Sequence, residues 1–192
     1  MTGRTHDMAA FTALAFIALT QPLPQISLAT GITAVFANMI GGIAPDIDQP
    51  TAPLWRNLPV GGVFGRVFRV VSGGHRFIFH SILGIILFGF AWHYFLQILQ
   101  PSFPQVDLNI IWWSFMIGFV SHLVMDTFTK EGVPWLLPIP VKFGIPPIKD
   151  FRVLTGGFIE RFIIFPVLII LTIYIFFYYQ KTLLDFLHNH LK

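Results

Sequence analysis

The chain of 192 residues contains no cysteine, and only 11% of its residues are charged. The first absence excludes disulfides and thiolate metal sites, so a metal here must be held by histidine, carboxylate or backbone oxygen. The second separates the chain from soluble domains, in which about a quarter of residues are charged. Repeats, low-complexity tracts and charged linkers are also missing, and the length fits one integral membrane domain over residues 1–192.

What is present is apolar. The chain is 55% hydrophobic, with 22 phenylalanines and a mean hydropathy of +0.72. Five runs approach the roughly 20 apolar residues that cross a hydrocarbon core about 30 Å thick. They cover residues 8–23, 26–43, 77–99, 110–128 and 158–179. The first two are joined by "TQPLPQ", whose prolines cannot continue a helix, so they are expected either as two crossings or as a partly inserted hairpin. Arg4 ahead of an apolar run imitates a signal peptide, but "TQPLPQIS" lacks an A-x-A-like cleavage site. The expected fold is an all-α, polytopic transmembrane bundle of five spanning or partly inserted helices.

Charge placement suggests the orientation. With five crossings and a cytoplasmic N-terminus, ten of the twelve Lys and Arg residues fall on the cytoplasmic side, leaving Lys181 and Lys192 outside. A net charge of +3 scattered through loops fits membrane topology better than nucleic-acid binding, so no nucleic-acid partner is expected.

This orientation sorts the polar residues by depth. His6 precedes the first run, Asp46 and Asp48 follow the second, and His75, Arg76, His80 and Ser81 open the third. His122 and Asp126 close the fourth, and Glu160 opens the fifth. All fall at one membrane boundary. Ionisable groups in or near a bilayer are costly unless paired, hydrated or bound to metal, so such convergence points to a functional site.

Three stretches carry the chemistry. In "GFVSHLVMDTFTKEGVPW", His122 and Asp126 stand four apart, sharing a helix face on which a nitrogen and a carboxylate can meet one cation. A plain His–Asp hydrogen bond explains that pair equally well. In "PDID", two carboxylates flank one residue after a proline, which suits a tight turn presenting both to one ion; a helix cap or solvated turn is the bland alternative. In "GGHRFIFHS", the five-residue spacing of His75 and His80 separates them by about 140° on an ideal helix, so His75 is expected in the glycine-led loop and His80 in the first helical turn. Arg76 is either a phosphate or carboxylate clamp or one more topology anchor. Taken together, three segments delivering His or Asp to one face favour a metal centre.

The order and spacing of "APDID", "GGHRFIFHS" and "GFVSHLVMDTFTKEGVPWLLP" resemble the YdjM-type, LexA-regulated inner-membrane metal-dependent hydrolase family over most of the chain. The resemblance implies metal-ligand or catalytic roles for Asp46, Asp48, His75, His80, His122 and Asp126, structural roles for Thr129, Gly132 and Pro138, and a multi-pass inner-membrane location. Phe77 and Phe79 stand where that pattern has a small residue and a threonine.

Such ligands suit one or two divalent ions, Zn, Mn or Mg, which acidify bound water and polarise phosphoryl or acyl oxygens. Hydrolysis follows naturally. Glu160 is the candidate general base or extra ligand, and Arg76 and Arg152 are candidates for neutralising an anionic substrate. Glu160 paired with Arg152 or Arg161 is the structural alternative. A site at the bilayer boundary suggests a lipid phosphoester arriving laterally, with the loop 130–157 either lying over it as a flap or only anchored in the headgroup region by Trp135 and its apolar residues. Two rivals remain: a non-enzymatic membrane protein with a structural metal or partner-binding role, and a transporter, which should carry ionisable groups through the midplane and not on one face. Oligomeric state is not readable from the sequence.

Overall fold

The computed structural model describes residues 1–21, 26–52, 55, 59, 61–73, 76–139 and 141–190. Seven α-helices are present among them: α1 (Gly3–Thr20), α2 (Leu28–Ile43), α3 (Gly61–Val71), α4 (Ile82–Leu99), α5 (Leu108–Thr127), α6 (Phe165–Tyr178) and α7 (Gln180–His190). No strand occurs among the described residues beyond two isolated bridges, Thr129 with Val153 and Val133 with Phe143.

Four segments are long and apolar enough to cross a membrane: Leu28–Asp48, Ile82–Ser102, Leu108–Thr127 and Glu160–Tyr178. They are built on α2, α4, α5 and α6, and they place the protein in a lipid bilayer. α1, the first of the five expected apolar helices, packs in the same bundle against α2, α5 and α6. It begins earlier than its apolar run, at Gly3, and takes Arg4, His6 and Asp7 into its first turns.

α5 is the centre of the bundle. Its Ile111, Phe115, Phe119 and Leu123 are buried in the main core, and Trp92 of α4 stacks on Phe115 with ring centroids 4.4 Å apart. α4 and α6 leave most of their large apolar side chains on the outside, among them Phe90, Ile98, Ile170 and Phe177, as lipid-facing helices do.

The α2–α5 interface fixes the site. A methyl group added at Gly118 would lie 2.1 Å from the Asn38 carbonyl oxygen, and one at Gly41 would lie 2.0 Å from that of Phe115. Only glycine permits such a close approach, the usual way membrane helices gain packing where no hydrophobic driving force separates helix from lipid. Buried Asn38 secures the contact by donating from Nδ2 to the Ser114 carbonyl oxygen at 3.0 Å.

Candidate metal centre

α2 ends in the 3-10 turn Ala44–Asp48, with Pro45 at its start. At three residues per turn, side chains two apart diverge by about 120°. This explains why the two carboxylates of "PDID" part company instead of facing one ion together. Asp46 Oδ1 lies 3.5 Å from His80 Nε2 and 3.6 Å from His122 Nε2, whereas Asp48 Oδ2 lies 4.0 Å from the other ring nitrogen, His80 Nδ1. Asp48 is completely buried.

His80 does not sit in the first turn of α4. It ends a separate 3-10 turn, Ile78–His80, before Ser81 caps α4 by accepting from Gly84 N at 3.2 Å. The cap orients the preceding turn, and His80 Nε2 reaches within 3.8 Å of Asp126 Oδ2. Burial lowers the His80 pKa, keeping the ring neutral near pH 7 as metal ligation requires.

α5 contributes the pair expected from its sequence, His122 and Asp126, with Nε2 3.7 Å from Oδ2. His122 Nδ1 is 2.7 Å from the Gly42 carbonyl oxygen. A carbonyl only accepts, so Nδ1 carries a proton, and Nε2 faces the Asp46 and Asp126 carboxylates at 3.6 and 3.7 Å without a hydrogen-bond partner. That is how a protein prepares a metal-binding imidazole.

α1 supplies a candidate ligand that sequence reasoning placed in the polar layer but not among the candidate ligands. His6 is buried, stacked on His122 with centroids 3.7 Å apart, and its Nε2 lies 3.3 Å from Asp126 Oδ1. Burial, reinforced by the neighbouring His122, lowers its pKa to about 3. The α-amino group of Met1 bonds both His6 Nε2, at 2.8 Å, and Asp126 Oδ1. A cationic group is thus already accommodated between these two side chains.

Two sets of ligand atoms come within 4.8 Å of one another: His6, His122 and Asp126, and Asp46, His80 and His122. His122 belongs to both. The donor set of imidazole and carboxylate suits Zn, Mn or Mg, and the unpartnered Nε2 is the atom such an ion would engage. His75, the remaining expected ligand, lies outside the described residues.

The other site candidates have different surroundings. Arg76 is buried with a left-handed φ of 57°, donates from Nη1 to Thr129 Oγ1 at 2.9 Å and pairs through Nη2 with Asp126 Oδ2 at 2.7 Å. Thr129 in turn donates to the Asp126 carbonyl oxygen at 2.7 Å. Glu160 opens the π-turn Glu160–Ile164 that precedes α6, and its carboxylate accepts from Thr2 N and Oγ1, Thr5 Oγ1 and Gly156 N, all at 2.6–2.7 Å. It thereby ties the start of α1 to α6. Arg152 is spent within its own loop, donating to the carbonyl oxygens of Pro146 and Pro147 at 2.8 Å. Gly132, at φ +66°, turns that loop back so that Val133 and Phe143 exchange backbone hydrogen bonds.

The architecture is that of a polytopic helical membrane protein with a buried cluster of histidines and aspartates able to hold metal. The chain belongs to the family described as YdjM inner membrane protein, which it matches over residues 1–184. It is 25% identical to the "Inner membrane protein YdjM" of Escherichia coli (strain K12), covering 85% of this chain and 77% of that one; the Shigella flexneri protein of the same name matches equally. "Uncharacterized protein YvsG" of Bacillus subtilis (strain 168) is also 25% identical, over 85% of this chain and 88% of its own. No solved structure shows significant similarity to the chain.

Proposed function

We propose that the protein is a membrane-bound, metal-dependent hydrolase whose site lies at the cytoplasmic interface of the inner membrane and acts on a lipid phosphoester. The observation that carries this reading is His122: a buried imidazole whose Nδ1 proton is committed to a backbone carbonyl and whose Nε2 is shared between two groups of potential ligands. Asp46, His80, His122, Asp126 and His6 hold the ion or ions, and Asp48 orients His80 from behind. A divalent cation bound there supplies Lewis acidity, polarising a phosphoryl oxygen and acidifying water.

The rest of the reading concerns the chain's own residues. Arg76 holds Asp126 in place and brings a guanidinium to the site, suited to an anionic headgroup. Glu160, whose oxygens receive four donors, positions the segment carrying His6. The cytoplasmic placement rests on the distribution of Lys and Arg, and a substrate resident in the membrane follows from a site at the ends of spanning helices.

The Arg76–Asp126 pair also supports a second reading. It compensates the Asp126 charge without a metal, as a non-enzymatic bundle with a structural or partner-binding role would need. Metal content of the detergent-purified protein, followed by phosphate release from a panel of lipid phosphoesters, separates the two. Near-stoichiometric metal and metal-dependent turnover support the hydrolase, whereas protein that purifies without metal and rebinds neither Zn, Mn nor Mg overturns it.

A further inference from the structure

A cavity of about 860 Å³ opens between α1, α5 and α6. α5 lines it with one stripe that advances in four-residue steps from Trp112 through Met116, Val120 and Val124, ending at Met125. The thirteen helical rises from Trp112 to Met125 make this wall about 20 Å long, somewhat more than one leaflet of a hydrocarbon core about 30 Å thick. One end lies at the level of the candidate metal centre: Met125 precedes Asp126, and Ala9, on the α1 wall, follows His6 by three residues.

The lining is apolar throughout. Its two hydroxyls are turned to the helices themselves, Thr12 Oγ1 donating to the Met8 carbonyl oxygen at 2.7 Å and Ser121 Oγ to that of Gly118 at 2.8 Å. α5 and α6 are spanning helices, so the occupant at this depth comes from the hydrocarbon phase. A single flexible chain fits.

We propose that this groove holds one hydrocarbon chain of a bilayer lipid, with its headgroup at the His6, His122 and Asp126 end. The chain-binding site stands on the groove itself; only the identification of that lipid as substrate rests on the hydrolase reading.

The test uses the full-length protein in vesicles of phosphatidylethanolamine and phosphatidylglycerol doped with a phospholipid carrying a diazirine in its acyl chain. After irradiation, labelled peptides are mapped in wild type, in Val120→Trp, which fills the groove, and in Leu87→Trp, which alters an exposed position on α4 outside it. The expected result is label concentrated on groove-facing residues of α1 and α5, lost in Val120→Trp and kept in Leu87→Trp. Ala13→Phe, on the opposite wall, serves as the second filling variant should Val120→Trp misfold by circular dichroism. Label spread around the whole apolar belt, label unchanged by a folded groove-filling variant, or preferential cross-linking between two copies would each overturn the proposal. Focused groove labelling without phosphoester turnover defeats the hydrolase reading and leaves the groove; turnover with unfocused labelling does the reverse.

Discussion

His122 Nδ1 donates to the carbonyl oxygen of Gly42 at 2.7 Å, joining the central helix to the last turn of α2 through the ring that faces both ligand groups. This hydrogen bond exists because Gly41 and Gly118 let the two backbones touch. Packing between α2 and α5 and the orientation of the metal-facing nitrogen are therefore one feature.

Widening that contact should disturb both. Gly118→Val places a branched side chain against the Asn38 carbonyl, which a methyl group alone would approach to 2.1 Å. Overpacking of this kind typically costs about 1–3 kcal/mol. The expected outcome is a lower thermal midpoint in detergent together with reduced metal content, whereas a variant that loses stability but binds metal as wild type does would separate the two.

The carboxylates should differ in consequence. Asp46→Asn and His122→Ala remove atoms from the ligand groups and are expected to abolish stoichiometric metal. Asp48 stands outside both ligand groups and faces His80 Nδ1 from 4.0 Å, so Asp48→Asn is expected to act as loss of an outer partner, which typically weakens metal affinity about 10–100-fold. Metal titration of the three variants against a competing chelator checks the ranking; equal losses would place Asp48 among the direct ligands.

Acid should destabilise the metal-free protein. His6 and His80 are held neutral by burial, His6 down to about pH 3, while in the unfolded chain both protonate near pH 6.5. Below that value the unfolded state binds more protons than the folded one, so stability falls with falling pH, by up to about 1.4 kcal/mol per pH unit for each ring. Denaturation of chelator-treated protein at pH 7.5, 6.5 and 5.5 should show the loss between the lower two values, and His80→Gln should flatten it. A pH-independent midpoint would contradict the assignment.

Glu160→Gln distinguishes a base from a positioning group. The substitution keeps the shape of the side chain but removes the charge that receives Thr2, Thr5 and Gly156. Hydrogen bonds to charged groups are worth about 1.5–3 kcal/mol each. A fall in stability of that order, with metal affinity reduced through the displaced His6, is expected. Stability and metal binding left at wild-type values, with turnover abolished, would instead make Glu160 the general base.

Arg76→Ala should be among the most damaging single changes outside the ligands. It leaves Asp126 without its guanidinium partner, and removing one member of a buried pair typically costs about 3–5 kcal/mol. Added divalent metal should recover part of the loss by supplying positive charge to the same carboxylate, read as a metal-dependent rise in the thermal midpoint. No difference between the variant with and without metal would argue that Asp126 is not a ligand.

Composition and hydropathy alone determined that this is a helical membrane protein, because runs of 20 apolar residues with 11% charge have no stable alternative to spanning helices. Spacing also determined the His122–Asp126 pair, since residues four apart on a helix share a face wherever that helix lies. Asp46 and His80 were legible as candidate ligands for a similar reason: each sits where a spanning segment meets its boundary. Sequence could not decide which face of α5 turns inward, because a helix apolar on all sides carries no directional pattern. Nor could it decide that His6 enters the ligand groups, that Asp48 turns behind His80, or that Glu160 is consumed by Thr2 and Thr5. Those outcomes depend on glycine-mediated contact between α2 and α5, on the three-residue period of the Ala44–Asp48 turn, and on how α1 docks against the bundle. They belong to the tertiary structure because each joins residues far apart in the chain through the position of a backbone, and local sequence sets no such distance.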